Sequence, residues 1–118
     1  MVVFTEGRHA AEFILSEANG NRSRDNGLMA ASQTFRAGEL LKVAAGVYSA
    51  CAAADAALAV AIAIYPVATA VGEVTTATAI IKRDAEVNGN VLNYPAGMTA
   101  PNILVANAAL AVLGIVVR

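Results

Sequence analysis

Few side chains in this sequence could take part in chemistry. His9 is the only histidine and Cys51 is the only cysteine. Because a structural zinc site needs four ligands, these two residues cannot build one by themselves, and we expect no bound metal. As a general base His9 would need a nucleophile and an orienting acid. Ser16 and Glu12 lie near it in the sequence, but nothing fixes their geometry. We therefore expect His9 to be a surface or contact residue.

The other candidates for chemistry are one thiol and two carboxylates. A single cysteine forms no intrachain disulfide, and its small apolar side chain favours a buried position. Asp84 and Glu86 would lie on one face of a strand, where such a pair can bind a cation or transfer protons. Lys82 has the same parity and would neutralise them, so a solvated strand edge is the favoured interpretation. Since phosphate-binding glycine motifs and nucleophile elbows are absent, we predict neither an enzyme nor a bound cofactor.

The composition is that of a small apolar domain. Of the 118 residues 58% are hydrophobic and 14% are charged, compared with about 25% charged in an average globular protein. The net charge of -1 provides no basic excess for binding a nucleic-acid backbone. Residues 1–42 hold ten of the seventeen Lys, Arg, Asp and Glu residues, and residues 43–81 hold two. We expect the first third to face solvent or a partner, the middle to form the core, and some apolar surface to meet a partner.

Large and small apolar residues alternate in the middle of the chain. The large members are Leu58, Val60, Ile62 and Ile64, and alanines separate them. A period of two predicts a strand over residues 58–65, with the large residues on one face and the alanines on the other. Residues 56–72 also contain no charge, which leaves a small membrane-inserting, holin-like protein as the alternative. The period opposes it, because a helix would scatter the large residues around its circumference, and seventeen residues are marginal for a span.

Short strands are predicted along most of the chain. We expect a polar loop at residues 19–27, strands at 28–33, 40–43, 46–49 and 74–83, and a hairpin turn at Asn88-Gly89. The C-terminal stretch differs, because Thr99 can cap a helix, Pro101 suits its first turn and Gly114 suits its end. A short strand at residues 115–117 follows. The sequence thus predicts a mainly β fold, a small β-rich single domain with one short C-terminal helix.

Several stretches resemble one known family. Residues 4–20 (FTEGRHAAEFILSEANG), followed by Arg22-Ser23-Arg24, are similar to the N-terminus of the phage head decoration proteins of the lambda D-like family. Residues 81–88 (IKRDAEVN), 94–97 (YPAG) and 113–118 (LGIVVR) resemble the family too. The resemblance runs over essentially the whole chain, and the alanine-rich residues 44–71 carry little of it.

This resemblance implies a viral capsid decoration, or cement, protein. Such proteins bind the outside of the expanded phage head as homotrimers, at three-fold and quasi-three-fold sites, and stabilise it against the pressure of packaged DNA. The implied partner is the major capsid protein, and no catalytic residue, cofactor, nucleic acid or membrane is implied. The implied location is the outer surface of the virion head, after assembly in the host cytoplasm. The implied fold is a β-clip or β-tulip-like domain at residues 21–118, preceded by an extended capsid-contacting arm at residues 1–20.

The arm supplies the candidate partner-binding residues. Its apolar candidates are Phe4, Phe13, Ile14 and Leu15, and its polar candidates are Glu6, Arg8 and Glu12. An arm that is disordered alone can become ordered on binding, for instance by adding a strand to an edge of the capsid protein. Three arms joined in one trimer would bind with avidity, so each single contact could be weak.

Overall fold

Ten short strands make up most of the regular structure in residues 9–71 and 76–118, which the computed structural model describes. The strands are β1 Ile14–Glu17, β2 Arg24–Met29, β3 Thr34–Phe35, β4 Leu40–Ala44, β5 Val47–Ala50, β6 Ala61–Ala63, β7 Val67–Ala68, β8 Thr76–Ile81, β9 Ala85–Val87 and β10 Ile115–Val117. A 3₁₀-helix, Ala53–Leu58, precedes β6, and the α-helix α1, Ala100–Ala111, lies between β9 and β10. The predicted mainly β fold with one short C-terminal helix is confirmed.

Five of the strands close into a barrel in the order β2-β5-β4-β6-β8. The longest ladder joins β2 and β8 antiparallel, from Arg24 opposite Ile81 to Met29 opposite Thr76. The pair β2 and β5 is parallel, and the other neighbours are antiparallel. Closure leaves these strands without an open edge, and a barrel this narrow is filled by its own side chains.

A separate three-stranded sheet has the order β1-β9-β10. In it β1 runs antiparallel to β9, and β10 runs parallel to β9. Two parallel neighbours need a crossover connection, and α1 supplies it between β9 and β10. Strands β3 and β7 form a small antiparallel pair of their own. The three-stranded sheet therefore holds together segments from both ends of the described chain.

Strand β6 separates two clusters of buried side chains. Ile62 and Ile64 belong to the larger cluster, whereas Ala61 and Ala63 belong to the smaller one. The larger cluster also contains Phe13, Leu40, Ile81, Val87, Leu110 and Ile115, and the smaller one contains Met29, Phe35, Leu41 and Ile80. The predicted alternation is confirmed at these four positions. The strand is shorter than predicted, because Leu58 ends the 3₁₀-helix. Both faces of β6 are buried, and its alanines leave room for the bulkier side chains of the smaller cluster.

Three of the local predictions are wrong. Asn26-Gly27 lies within β2 rather than in a polar loop, because Gly27 packs under an aromatic ring, where a Cβ would lie 2.9 Å from Cδ2 of Tyr48. The strand predicted at residues 28–33 accordingly ends at residue 29. Asn88-Gly89 starts no hairpin, because β9 pairs with the distant β1 and β10, and the residues after the turn form no strand.

The helix prediction is confirmed at both ends. The Thr99 hydroxyl accepts a hydrogen bond from the Asn102 N–H at 3.4 Å, and Pro101 lies in the first turn. Gly114 follows the helix with a φ of 82°, which glycine adopts without steric cost. Residues 56–71 form the end of the 3₁₀-helix, β6 and β7. Within the part of the chain that the structure describes, no helix has the length and apolar character needed to cross a membrane.

Candidate functional site

The described chain enters the domain through a turn at residues 9–12. The backbone N–H of His9 donates to the Glu12 carboxylate at 2.9 Å, and the Glu12 N–H donates back to the His9 carbonyl at 3.2 Å. Between them Ala11 has a left-handed φ of 61° and donates its N–H to the Ile64 carbonyl. Left-handed backbone is unfavourable for alanine, so these bonds hold the turn in place. The exposed Glu12, a predicted arm residue, thus helps to set the direction in which the chain enters.

The three apolar arm candidates after this turn lie in different environments. Phe13 is 1% exposed and packs in the larger buried cluster. Ile14 is half-buried against the same cluster, while Leu15 is 52% exposed. Phe13 therefore anchors β1 to the domain, and Leu15 presents the outward apolar surface.

A break in the β1–β9 ladder explains this difference. Ile14 lies opposite Val87 and Ser16 lies opposite Glu86, so the register shifts between Ile14 and Ser16 and leaves Leu15 as an extra residue. A bulge of this kind redirects a side chain and disrupts an edge that would otherwise pair with another strand.

The remaining arm candidates, Phe4, Glu6 and Arg8, lie outside the described residues. Contact of any arm residue with a capsid stays a prediction, as does a domain boundary at residue 20. Because β1 is already paired with β9 and Phe13 is in the core, the described end of the predicted arm is part of the folded domain.

Glu17 and Arg24 form the closest ion pair beside this sheet. The Arg24 Nε and a terminal nitrogen donate to the two Glu17 carboxylate oxygens at 2.7 and 2.9 Å. Hydrogen bonding to Arg24 lowers the pKa of Glu17, and the same contact raises the pKa of Arg24. A two-pronged pair between partly buried side chains is well ordered, and it ties the end of β1 to the start of β2.

Asp84 and Glu86 each have a separate arginine partner. Asp84 precedes β9 with a left-handed φ of 48°, and its carboxylate lies 3.5 Å from Nε of Arg22. Arg118 donates to the Glu86 carboxylate at 3.1 Å, and this bond lowers the pKa of Glu86. The prediction that Lys82 neutralises both carboxylates is wrong, because its ammonium donates to a tyrosine hydroxyl instead. The arrangement is a row of ion pairs and not an acid–base dyad.

The buried Ser23 connects this row of ion pairs to the three-stranded sheet, a role that no pattern in the sequence indicates. Its side chain is 1% exposed, accepts a hydrogen bond from the Ala18 N–H at 2.9 Å and donates to the Asp84 carbonyl at 2.6 Å. Its own carbonyl accepts from the Lys82 N–H. Nothing in the local sequence distinguishes this serine from other loop serines, since two of these three partners, Lys82 and Asp84, are about sixty residues away.

The only thiol is far from reactive. Cys51 is 5% exposed, and burial raises the pKa of its thiol to about 11, so the nucleophilic thiolate is scarce at neutral pH. Among residues 9–71 and 76–118, no three side chains of the His, Cys, Asp and Glu types come together as a metal site.

These features define a small β-barrel domain with an attached ion-paired sheet, whose outer strand begins at a turn leading from an N-terminal segment. The family model of bacteriophage lambda head decoration protein D matches residues 3–115, and the chain belongs to that family. No curated protein matches the chain. The family consists of structural proteins of the phage capsid and not of enzymes, so membership identifies a capsid-associated decoration protein and confirms the resemblance of the sequence.

Proposed function

We propose that the protein cements the phage head, binding the outside of the expanded shell as homotrimers at three-fold and quasi-three-fold sites. The partner is the major capsid protein, which the N-terminal arm grips. The protein is made in the host cytoplasm and ends on the outer surface of the virion. Family membership supports this proposal at the level of capsid decoration, and the anchoring of β1 supports the role of the arm.

The main structural support for this proposal is the anchoring of β1 in the folded domain. Tension on the residues before His9 would pass through the turn at residues 9–12 into β1. There the buried ring of Phe13 and the antiparallel pairing with β9 would resist it. The N–H of Asn88 donates to the Phe13 carbonyl at 2.8 Å, which fixes the backbone where the ring enters the core. A domain anchored in this way can transmit force between capsid subunits without any chemistry.

Trimerisation would convert three modest arm contacts into one strong attachment. Once one arm is bound, the other two bind at a high effective concentration, provided that their sites have the right spacing. Expansion of the shell would create that spacing, so binding would depend on maturation of the head.

Deletion of residues 1–8 tests the arm directly. The deletion leaves Phe13 and β1 in place, whereas a deletion of residues 1–20 would remove a core side chain and confuse folding with binding. We expect an unchanged melting temperature and at least a roughly tenfold loss of affinity for expanded heads, measured by co-sedimentation. A matched control replaces the eight residues by glycine and serine at equal length and should lose binding equally. Full binding by the deleted protein would refute the arm, and equal binding to unexpanded heads would refute the dependence on maturation.

A further inference from the structure

The outer side of α1 is apolar and exposed. Val112, at its C-terminal end, is 85% exposed, Leu104 is 69% exposed and Val105 is 44% exposed. The 3₁₀-helix packs beside α1 and adds further exposed apolar residues. We call this surface the helix face and define it as Ala54, Ala57, Leu58, Leu104, Val105, Ala108, Ala111 and Val112.

The helix face is distinct from the side of α1 that builds the core. Ala106 and Leu110 are fully buried and belong to the larger cluster. A surface helix normally places charged residues opposite its buried stripe, yet no charged residue occurs between residues 87 and 117. The exposed side of α1 therefore lacks the polar surface expected of a helix that faces water.

The spacing on the helix face suits contact with another helix. Leu104, Ala108 and Val112 follow one another at intervals of four, and Ala111 lies three residues after Ala108. Such rows form the ridges and grooves by which helices pack, and alanines allow a close approach. The large exposed side chains on either side of the alanines would serve as knobs.

The distribution of charged residues favours other copies of this chain as the partner of the helix face. Residues that lie at a three-fold axis meet their own copies, so a charged residue there would face like charges, whereas surfaces away from the axis meet different residues of the neighbouring copy. The charged residues in and beside the three-stranded sheet are Glu17, Arg22, Arg24, Asp84, Glu86 and Arg118. The helix face itself carries no charge, and Asp55, which lies between its residues in the 3₁₀-helix, is ion-paired with Lys42 at 2.7 Å. In size, four apolar side chains that are 44–85% exposed, together with four exposed alanines, expose on the order of a few hundred Å², the size at which an apolar patch marks an interface.

We propose that the helix face is the surface by which copies of this chain meet around the axis of the trimer, an inference that rests on the trimer in the proposed function. Each copy contributes α1 and the neighbouring 3₁₀-helix, and the ion-paired sheet with β1 stays free for the capsid. Assembly buries the apolar surface that a single chain leaves in water.

Two charged substitutions test this interface. In Leu104→Glu and Val112→Lys the new charges have opposite sign, and the lysine near the helix C-terminus is compatible with the helix dipole. Val71→Lys is the matched control, because Val71 is 87% exposed and lies outside α1 and the 3₁₀-helix. By sedimentation equilibrium without detergent, we expect wild type and control to be trimers. The two helix variants should be folded monomers by far-ultraviolet circular dichroism, with trimer dissociation constants raised at least about 100-fold.

Each alternative result has a definite meaning. Should the charged variants fail to fold, Val112→Ser adds no charge and should still weaken the trimer by about tenfold. Trimers that persist in all three helix variants would overturn the interface and leave the trimer standing. Variants that stay trimeric but no longer bind heads would assign the helix face to the capsid instead. A wild type that is monomeric at every concentration would overturn both the interface and the trimer, while the arm would still be judged by the deletion of residues 1–8.

Discussion

Replacing Phe13 by alanine separates a core role for this residue from a capsid-binding role. Its ring is 1% exposed and packs with Ile64, Leu110 and Ile115 in the larger cluster. Truncation of a buried phenylalanine costs about 3–5 kcal/mol, a large part of the roughly 5–15 kcal/mol that stabilises a typical domain. For a domain of this size 1 kcal/mol corresponds to roughly 3–5 °C, so we expect the melting temperature to fall by about 10–20 °C.

Leu15→Ala is the matched control for this substitution. Leu15 lies two residues further along, in β1, but is 52% exposed, so its loss should change the free energy of unfolding by less than about 0.5 kcal/mol. Both proteins are to be melted in a calorimeter at one protein concentration, because the stability of an oligomer depends on concentration.

Head binding at low temperature completes the test. Well below its melting point, Phe13→Ala should still bind expanded heads if the ring serves only the fold, whereas Leu15→Ala should bind more weakly if its exposed side chain touches the capsid. A melting temperature of Phe13→Ala within about 2 °C of wild type would refute the assignment of the ring to the core. Loss of head binding by a folded, equally stable Phe13→Ala protein would return the residue to the arm.

Three further predictions follow from local contacts. Gly27→Ala should lower the free energy of unfolding in urea by about 1–3 kcal/mol, because its Cβ would lie 2.9 Å from the Tyr48 ring; an unchanged unfolding midpoint would contradict this packing. Cys51 should resist an aromatic disulfide reagent at pH 8 until denaturant is added, since the pKa of its buried thiol is about 11; rapid reaction of the folded protein would contradict its burial. The ion pair with Arg24 lowers the pKa of Glu17 from its usual 4.5, so its stabilisation is present above that value and is lost as the pH falls below it. The melting temperature should therefore fall between pH 5 and pH 3 less steeply in Glu17→Gln than in wild type, and equal slopes would contradict the pair.

Sequence patterns correctly predicted those parts of the fold that depend on contacts between residues close together in the sequence. The helix cap at Thr99 works through the next three residues, and the alternation at residues 61–64 follows from the geometry of a strand. Gly27 was misjudged because an Asn-Gly pair favours a turn, whereas the room needed by the Tyr48 ring comes from another strand. The turn at Asn88-Gly89 failed as a hairpin for a similar reason, since the partners of β9 lie at opposite ends of the described chain.

The candidate site was predictable only in part. The resemblance to the family predicted a partner-binding arm, and this role stays a prediction; of its described residues, Glu12 and Leu15 are exposed. No pattern separated the buried Phe13 from the exposed Leu15, because a bulge in the pairing with β9 sets their directions. Nor does the sequence separate the exposed apolar residues of α1 from the buried ones, because most residues of this helix are apolar and only the packing of the fold decides which of them are buried.

The order of the three-stranded sheet has a consequence for how the chain folds. Strand β9 must pair with β1, made some seventy residues earlier, and with β10, which follows only after α1. Contacts between segments so far apart in sequence slow folding, because a long loop must close before they form. Until β10 arrives, β9 has an open edge to which a strand of another nascent chain could add. We therefore expect folding of the barrel to precede completion of this sheet, and a newly made chain to be most prone to mispairing in that interval.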